Sequence, residues 1–284
     1  MATRLENEPL SKHTTLKIGG PAEVLSIPDD LDDLLAEIRH CQENGITYRI
    51  LGRGSNLLVN DKGVKGFVIK LSKACSELTF EGDGRVICGA SVTFQKFIKF
   101  CIENDLYGNE NLQSVPGAMG GGIFMNAGTW TDKNLYLSDY LVKVKYFDGK
   151  EIREIAKEDC RFGYRSSIFQ EKPEWVILSA EFKLPHQPKE VGEKAKRDRV
   201  EWSKGYQDIT YANAGSVFRA GHGRAYNWVK GMKIGGAGWS ERTGNWINNY
   251  GSAKCSDVLW LIRIVKVLSF LMGRKASIEW IYWK

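Results

Sequence analysis

The chain is 284 residues long, 43% hydrophobic and 26% charged, with a formal net charge of +6. That composition fits a globular protein of two or three domains and excludes a fibrous or disordered chain. The positive balance suits an anionic small molecule and is too dilute for a nucleic-acid binder, so no nucleic-acid partner is expected.

Six cysteines, Cys41, Cys75, Cys88, Cys101, Cys160 and Cys255, are scattered without a Cys-x-x-Cys pair. Reduced thiols in a cytoplasmic protein are expected. His13, His40, His186 and His222 lie far apart, with no metal-ligand spacing, so no metal site is expected. Arg4, Glu6 and Glu8 leave no apolar core for a signal peptide.

In chain order, residues 13–28 read as a strand-and-turn unit. Residues 31–43 read as a helix, with Leu31, Leu34, Leu35 and Ile38 at helical spacing and Asp29 or Asp30 as cap. Strands at 47–51 and 57–59 flank a turn of Gly52, Arg53, Gly54, Ser55 and Asn56. Such a turn can aim several N–H groups at one phosphate, and glycine admits a ligand close to the backbone. A plain tight hairpin explains the same residues. No Gly-Lys-Ser/Thr follows and no long helix starts here, which argues against a P-loop and a dinucleotide fingerprint. A strand at 66–71 closes this small α/β region near Ser72.

A second region opens with strands at 78–80 and 85–88 around Gly82-Asp83-Gly84. Residues 92–104 form a helix with Phe94, Phe97, Ile98 and Cys101 on one face. A glycine-dense stretch follows at 111–131, containing Pro116-Gly117-Ala118-Met119-Gly120-Gly121-Gly122 and Asn126-Ala127-Gly128. It reads either as a second backbone-donor surface or as a closely packed loop. Two such loops in one chain point to a large phosphorylated cofactor. Strands at 141–146 and 176–184 are separated by Gly163-Tyr164-Arg165-Ser166-Ser167. A guanidinium fork there suits a carboxylate or phosphate, or a surface salt bridge.

Residues 185–188 read as a linker and 189–203 as a charged helix. The third region has a turn at 213–218, a glycine-rich stretch at 231–238, an apolar helix at 257–272 and a strand at 278–283. The apolar helix carries Arg263 and Lys266 and is short for a membrane span, so a buried amphipathic helix and no membrane partner are expected. Ser216, a poor acid alone, needs surroundings that stabilise charge. In a strand at 278–283, Glu279 is the single charged residue between two apolar faces, so partial burial is expected.

In order and spacing these motifs resemble the UDP-N-acetylenolpyruvoylglucosamine reductase family, flavoenzymes of peptidoglycan precursor synthesis. The similarity runs from His13-Thr14-Thr15-Leu16-Lys17-Ile18-Gly19-Gly20-Pro21-Ala22 to the final strand, through blocks at 51–59, 115–128, 163–169, 213–218 and 233–248. The resemblance implies an α+β multi-domain flavoenzyme. Residues 1–72 and 73–187 would form two FAD-binding domains of the vanillyl-alcohol-oxidase type, and 188–284 a C-terminal α+β substrate domain. It implies that Gly52, Gly54, Ser55 and Asn56 cradle the FAD pyrophosphate. Pro116, Gly117, Gly120, Gly121, Asn126 and Ala127 would line the flavin.

The resemblance also implies NADPH as reductant and a UDP-sugar enolpyruvyl ether as substrate. Ser216 matches the proton donor, and Arg165 and Glu279 the pair that stabilises the enol-like intermediate. Arg219 and Lys233 fall on the substrate side. The chain looks like the compact subtype that lacks a substrate-covering tyrosine loop. Arg219-Ala220-Gly221 stands where the family usually has Lys-Asn-Pro, and Thr243 where histidine is common. The alternative is a family-like flavoenzyme acting on a different nucleotide-linked or secondary-metabolite substrate.

Overall fold

The computed structural model describes residues 2–129, 135–220, 222 and 224–284. Gly221 of the departing motif, and Trp130 and Thr131 at the end of the glycine-dense stretch, lie outside the described residues. The chain divides into two compact units. Unit one is Met1–Thr3, Ser26–Gly52 and Ile69–Ser203; unit two is Arg4–Leu25, Arg53–Val68 and Lys204–Lys284.

The early elements are β1 (Thr3–Pro9), β2 (Pro21–Ile27), α1 (Leu31–Glu43), β3 (Tyr48–Leu51), β4 (Leu57–Val59) and β5 (Val64–Lys70). Four of these strands form a sheet in the order β1-β2-β5-β3. Helix α1 starts where the sequence places it, because the Asp30 carboxylate accepts from the Asp33 N–H at 2.8 Å. Its stripe of Leu34, Leu35, Ile38 and Cys41 is buried. Strand β1 was not anticipated: six of its seven residues are exposed, so it carries no core-facing alternation.

Unit one continues with β6 (Leu78–Gly82), β7 (Arg85–Gly89), α2 (Phe94–Glu103), α3 (Met119–Phe124), β8 (Gly128–Thr129) and β9 (Leu135–Tyr136). After them come β10 (Leu141–Phe147), β11 (Ile152–Ala156), β12 (Val176–Lys183) and α4 (Lys189–Tyr206). Its main sheet has the order β11-β10-β12-β7-β6. The β6–β7 hairpin turns on Asp83 and Gly84, both at positive φ, as a two-residue turn requires. Helix α2 is capped by Thr93, and Phe94, Phe97, Ile98 and Cys101 are all buried. Edge strand β11 escaped the sequence reading because its side chains are almost all exposed. Helix α3 escaped it because glycine disfavours helix by about 1 kcal/mol per residue; packing overrides that preference here.

Unit two adds β13 (Lys233–Ile234), β14 (Ala237–Trp239), β15 (Ile247–Asn249), α5 (Cys255–Leu271) and β16 (Ile281–Trp283). Strands β13, β14 and β15 form an antiparallel sheet, and β16 pairs in parallel with β4. Its core gathers Leu16, Ile18, Val217, Phe218, Trp239, Ile247, Val258, Leu261 and Val265. The N-terminus of α5 is capped from a distant part of the chain. Asp61 accepts from the N–H groups of Cys255 at 2.6 Å and Ser256 at 3.0 Å. That answers two orphan donors and sets a negative charge at the positive end of the helix.

Asp61→Ala is therefore expected to lower the stability of unit two by about 1–2 kcal/mol, and Asp61→Asn by less. Urea unfolding followed by tryptophan fluorescence measures this. An unchanged midpoint for Asp61→Ala would contradict the capping role.

Candidate active site

In unit two the parallel pairing of β4 with β16 sets Leu57 against Ile281 and Val59 against Trp283. It holds the preceding turn against the segment that carries Glu279. The Ile281 N–H donates to the Asn56 carbonyl at 3.0 Å, and the Asn56 side-chain amide donates to the Glu279 carbonyl at 3.2 Å. The Glu279 N–H in turn donates to the Val217 carbonyl at 2.8 Å. Three bonds thereby tie Asn56 and the Glu279–Ile281 backbone to each other and to Val217, the residue after Ser216.

Glu279 is half-buried, as expected, but for a different reason. The strand begins only at Ile281, so alternation does not set its direction. Ile278 makes an isolated bridge to Phe218, and Glu279 lies between that bridge and the strand.

The Ser216 segment is clamped from its other side. Ser216 bridges Trp246, and the Val217 N–H donates to the Asn245 carbonyl at 2.8 Å. The Asn245 side chain accepts from the Phe218 N–H at 3.0 Å and donates to the Phe218 carbonyl at 2.8 Å. Asn245 had no signal of its own in the sequence; only its place in the 233–248 block pointed to it. Arg219 is half-buried, and its N–H donates to the Ser277 carbonyl. Lys233 is exposed, with its ammonium 4.2 Å from the Tyr250 ring centroid, within cation–π range.

Gly54 has φ +62°, and a Cβ built there would lie 2.4 Å from the His13 carbonyl. The Thr15 N–H donates to the Gly54 carbonyl at 3.1 Å. The glycine is thus demanded by the fold of the turn against residues 13–15. Thr243 is also committed internally. Its hydroxyl accepts from the Asp208 N–H at 2.8 Å and donates to the Tyr206 carbonyl at 3.2 Å.

In unit one the Arg165 loop folds onto the end of the glycine-dense stretch. Gly163 and Ser166 exchange backbone bonds of 3.2 and 3.3 Å, which puts Tyr164 and Arg165 at the tip. Arg165 has φ 53°, a left-handed conformation that is costly for a residue with a Cβ and recurs at functional sites. Its guanidinium donates to the Gly128 carbonyl at 2.9 Å, and the Gln170 amide donates to the Arg165 carbonyl at 3.1 Å. Asn126 is buried at φ 44°; it donates to the Gly163 carbonyl at 3.0 Å and accepts from the Ser138 N–H. Arg165 and Asn126 therefore form one braced cluster, while the Ala127 carbonyl accepts from the Leu137 N–H at 2.7 Å. Ser167 is not open to a ligand, since its buried hydroxyl donates to the Phe124 carbonyl at 2.8 Å.

The glycine run separates into two kinds. A Cβ at Gly117 or Gly122 would fall 2.5 or 2.6 Å from the Phe94 ring, and one at Gly120 would lie 3.0 Å from Ala90. These glycines let α2 and α3 approach. A Cβ at Gly121 meets nothing within 4 Å, and the residue is exposed. Pro116 is also exposed. Gln95, which the sequence gave no reason to select, holds this loop by donating to the Gln113 and Val115 carbonyls at 2.8 and 2.9 Å.

The cysteines do not supply a nucleophile. All six are buried and none forms a disulfide, and burial pushes the thiols of Cys75 and Cys160 up to about 12. Among the described residues no three His, Cys, Asp or Glu side chains are grouped as metal ligands.

A model of an FAD binding domain matches residues 22–152, and a model of the UDP-N-acetylenolpyruvoylglucosamine reductase C-terminal domain matches residues 207–267. The UDP-N-acetylenolpyruvoylglucosamine reductase of Carboxydothermus hydrogenoformans is 38% identical over 272 residues, covering 93% of this chain and 88% of that protein. The protein of the same name from Bacillus pumilus is 36% identical over 269 residues, covering 92% and 88%. The crystal structure of the UDP-N-acetylenolpyruvylglucosamine reductase of Thermus caldophilus matches with a TM-score of 0.82 at 30% identity. That match covers 100% of this chain and 99% of that one.

Asp208 organises the floor beneath the Ser216 segment. Its carboxylate accepts from Ser240 at 2.7 Å and Asn248 at 2.6 Å, while Asn213 donates to its backbone carbonyl at 3.1 Å. Burial alone would push this carboxyl up, but bonds from Ser240, Asn248 and Thr210 outweigh it and the net shift is downward. With the folded value depressed, the stabilisation is present above the ordinary Asp value of 3.8 and is lost as pH falls through the folded value. Asp208→Asn is expected to be less stable than wild type at neutral pH, with the gap closing in acid below 3.8. Urea midpoints of both proteins across pH test this; a gap independent of pH would rule out the charge as its source.

Proposed function

The chain belongs to the UDP-N-acetylenolpyruvoylglucosamine reductase family, and we propose that it reduces UDP-N-acetylglucosamine enolpyruvate to UDP-N-acetylmuramate in peptidoglycan precursor synthesis. It is an FAD-containing oxidoreductase that takes its electrons from NADPH. The observation that supports the reading is the bonded series from Asn56 through the Glu279 backbone to Val217, the residue that follows Ser216. We assign the flavin to residues 1–72 and 73–187 and the substrate to 188–284. We assign the enzyme to the cytoplasm; among the described residues no helix is long and apolar enough to cross a membrane.

The residues present fit FAD. Gly52 and Gly121 have neither a positive φ nor an atom within 4 Å of an added Cβ, so the fold itself does not require glycine at either place. Close approach of a ligand to the backbone does. Gly52, Gly54, Ser55 and Asn56 would hold the pyrophosphate, and Pro116, Gly117, Gly120, Gly121, Asn126 and Ala127 the flavin. FAD, when bound, carries two electrons from NADPH to the substrate's double bond.

The protein's own groups handle charge and the proton. Arg165, already braced by the Gly128 carbonyl, offsets negative charge that develops on the substrate carboxylate. Glu279 is assigned to stabilising the enol-like intermediate. With the charge spread in this way, the Ser216 hydroxyl delivers its proton to the substrate carbon. Arg219 and Lys233 supply cations for the diphosphate. Thr243, locked between Asp208 and Tyr206, braces the fold here and does not replace a substrate-binding histidine.

Gly121→Ala is expected to leave apo-protein stability unchanged while weakening retention of FAD. Thermal unfolding of the apo form and flavin absorbance after gel filtration separate the two effects. Full retention of FAD would remove Gly121 from the flavin site.

Ser216→Ala is expected to keep FAD binding and NADPH-driven flavin reduction while slowing reoxidation by substrate ~10²–10⁴-fold. Arg165→Lys should slow the same half, since a point charge lacks the bidentate fork. Single-turnover kinetics of each half-reaction decide. Equal effects on both halves would make Ser216 a turn residue only. Normal flavin reduction in wild type with no reoxidation by the UDP-sugar would assign a different nucleotide-linked substrate.

A further inference from the structure

Helix α5 is apolar on two sides and packed on one. Val258, Leu261, Ile262 and Val265 are buried in the core of unit two. On the other side Trp260, Val267, Phe270 and Leu271 are 54%, 52%, 80% and 73% exposed. The expectation of a buried helix therefore holds for one face only. Trp260, Val267 and Leu271 recur at helical spacing, with Arg263 and Phe270 beside them, so they share a single stripe. The stripe is about 16 Å long at 1.5 Å per residue. An exposed apolar face of this kind marks a surface that something covers.

From residue 258 to residue 275 every charged side chain is basic. Arg263, Lys266, Arg274 and Lys275 are all exposed, and among the described residues none makes an ion pair. The Arg263 guanidinium lies 5.1 Å from the Trp260 ring centroid, at the border of cation and aromatic. The single acidic residue of the helix, Asp257, is already committed. Its carboxylate accepts from the N–H groups of Lys254 at 3.0 Å and Gly236 at 3.2 Å.

We propose that this face of α5 docks in the plane of an anionic lipid surface. Trp260, Val267, Phe270 and Leu271 enter the boundary between headgroups and acyl chains, and the four cations meet lipid phosphates. Tryptophan, phenylalanine and leucine on one face, rimmed by lysine and arginine, is the composition of helices that lie in the interface and do not span it. Among the described residues no helix can cross a bilayer, and contact in the plane does not require one. A second copy of the chain is a poorer occupant. Symmetric pairing of the stripe would set one copy's cations against the other's, with no free carboxylate on the helix between them.

The test uses the full-length, FAD-loaded protein and co-sedimentation with phosphatidylcholine vesicles, with and without phosphatidylglycerol. Binding is expected only with the anionic lipid, and it should weaken as salt is raised. Arg263→Gln combined with Lys266→Gln should lower partitioning about 25-fold, at roughly fivefold per cation. Phe270→Ser combined with Leu271→Ser should remove salt-resistant binding. Both side chains are exposed, so flavin content and soluble reductase activity should remain at wild-type levels and report an intact fold. Equal sedimentation with both lipids, or binding that survives both double variants, overturns the proposal. So does a dimer in sedimentation velocity that the Phe270/Leu271 variant abolishes, when it comes without vesicle binding.

Discussion

The parallel pairing of Leu57–Val59 with Ile281–Trp283 is the contact on which unit two depends. Two three-residue strands would be marginal alone. What makes them hold is the set of groups around them. The Asn56 carbonyl and amide face the Glu279–Ile281 backbone, the Asn60 N–H donates to the Trp283 carbonyl, and Asp61 caps α5 just beyond. One short segment therefore positions the glycine turn, Glu279 and the start of the apolar helix. Two of these anchors, the Asn56 amide and the Asp61 carboxylate, are side chains, so these two residues are tied to the geometry they fix.

Unit one reaches a comparable result by another route. There the braces are side chains acting on carbonyls: Asn126 on Gly163, Gln170 on Arg165, Gln95 on Gln113 and Val115. Asn126 and Arg165 both occupy left-handed backbone conformations. Asparagine tolerates that conformation well, whereas for arginine it is a strain that the surrounding bonds must offset. A guanidinium held this way loses little further freedom on meeting a carboxylate.

Much of this was legible in the sequence. The span of α1 and its Asp30 cap, the buried face of α2 and the β6–β7 hairpin all follow from local periodicity and capping chemistry. Strands β1 and β11 did not show, because an exposed edge strand has no core-facing pattern to read. Of the two readings of the glycine-dense stretch, close packing accounts for Gly117 and Gly122, while Gly121 stands open. The grouping of Ser216 with Glu279 rests on pairing between distant segments, which no local window contains. Glu279 was selected for its apolar neighbours, yet its position comes from the Val217 carbonyl and the Asn56 amide.

The closure of β4 by β16 also fixes an order in time. Asn56 and Glu279 are 223 positions apart, and most of the residues between them belong to unit one. At a synthesis rate of about 5–20 residues per second, Leu57–Val59 emerge roughly 10–45 s before the strand that pairs with them exists. Unit one has its own sheet and helices and can be complete by then. The glycine turn cannot: its Asn56 carbonyl has no Ile281 N–H to accept from until the C-terminal segment has been made. The last part of unit two to acquire its native backbone bonds is thus the part that carries Glu279.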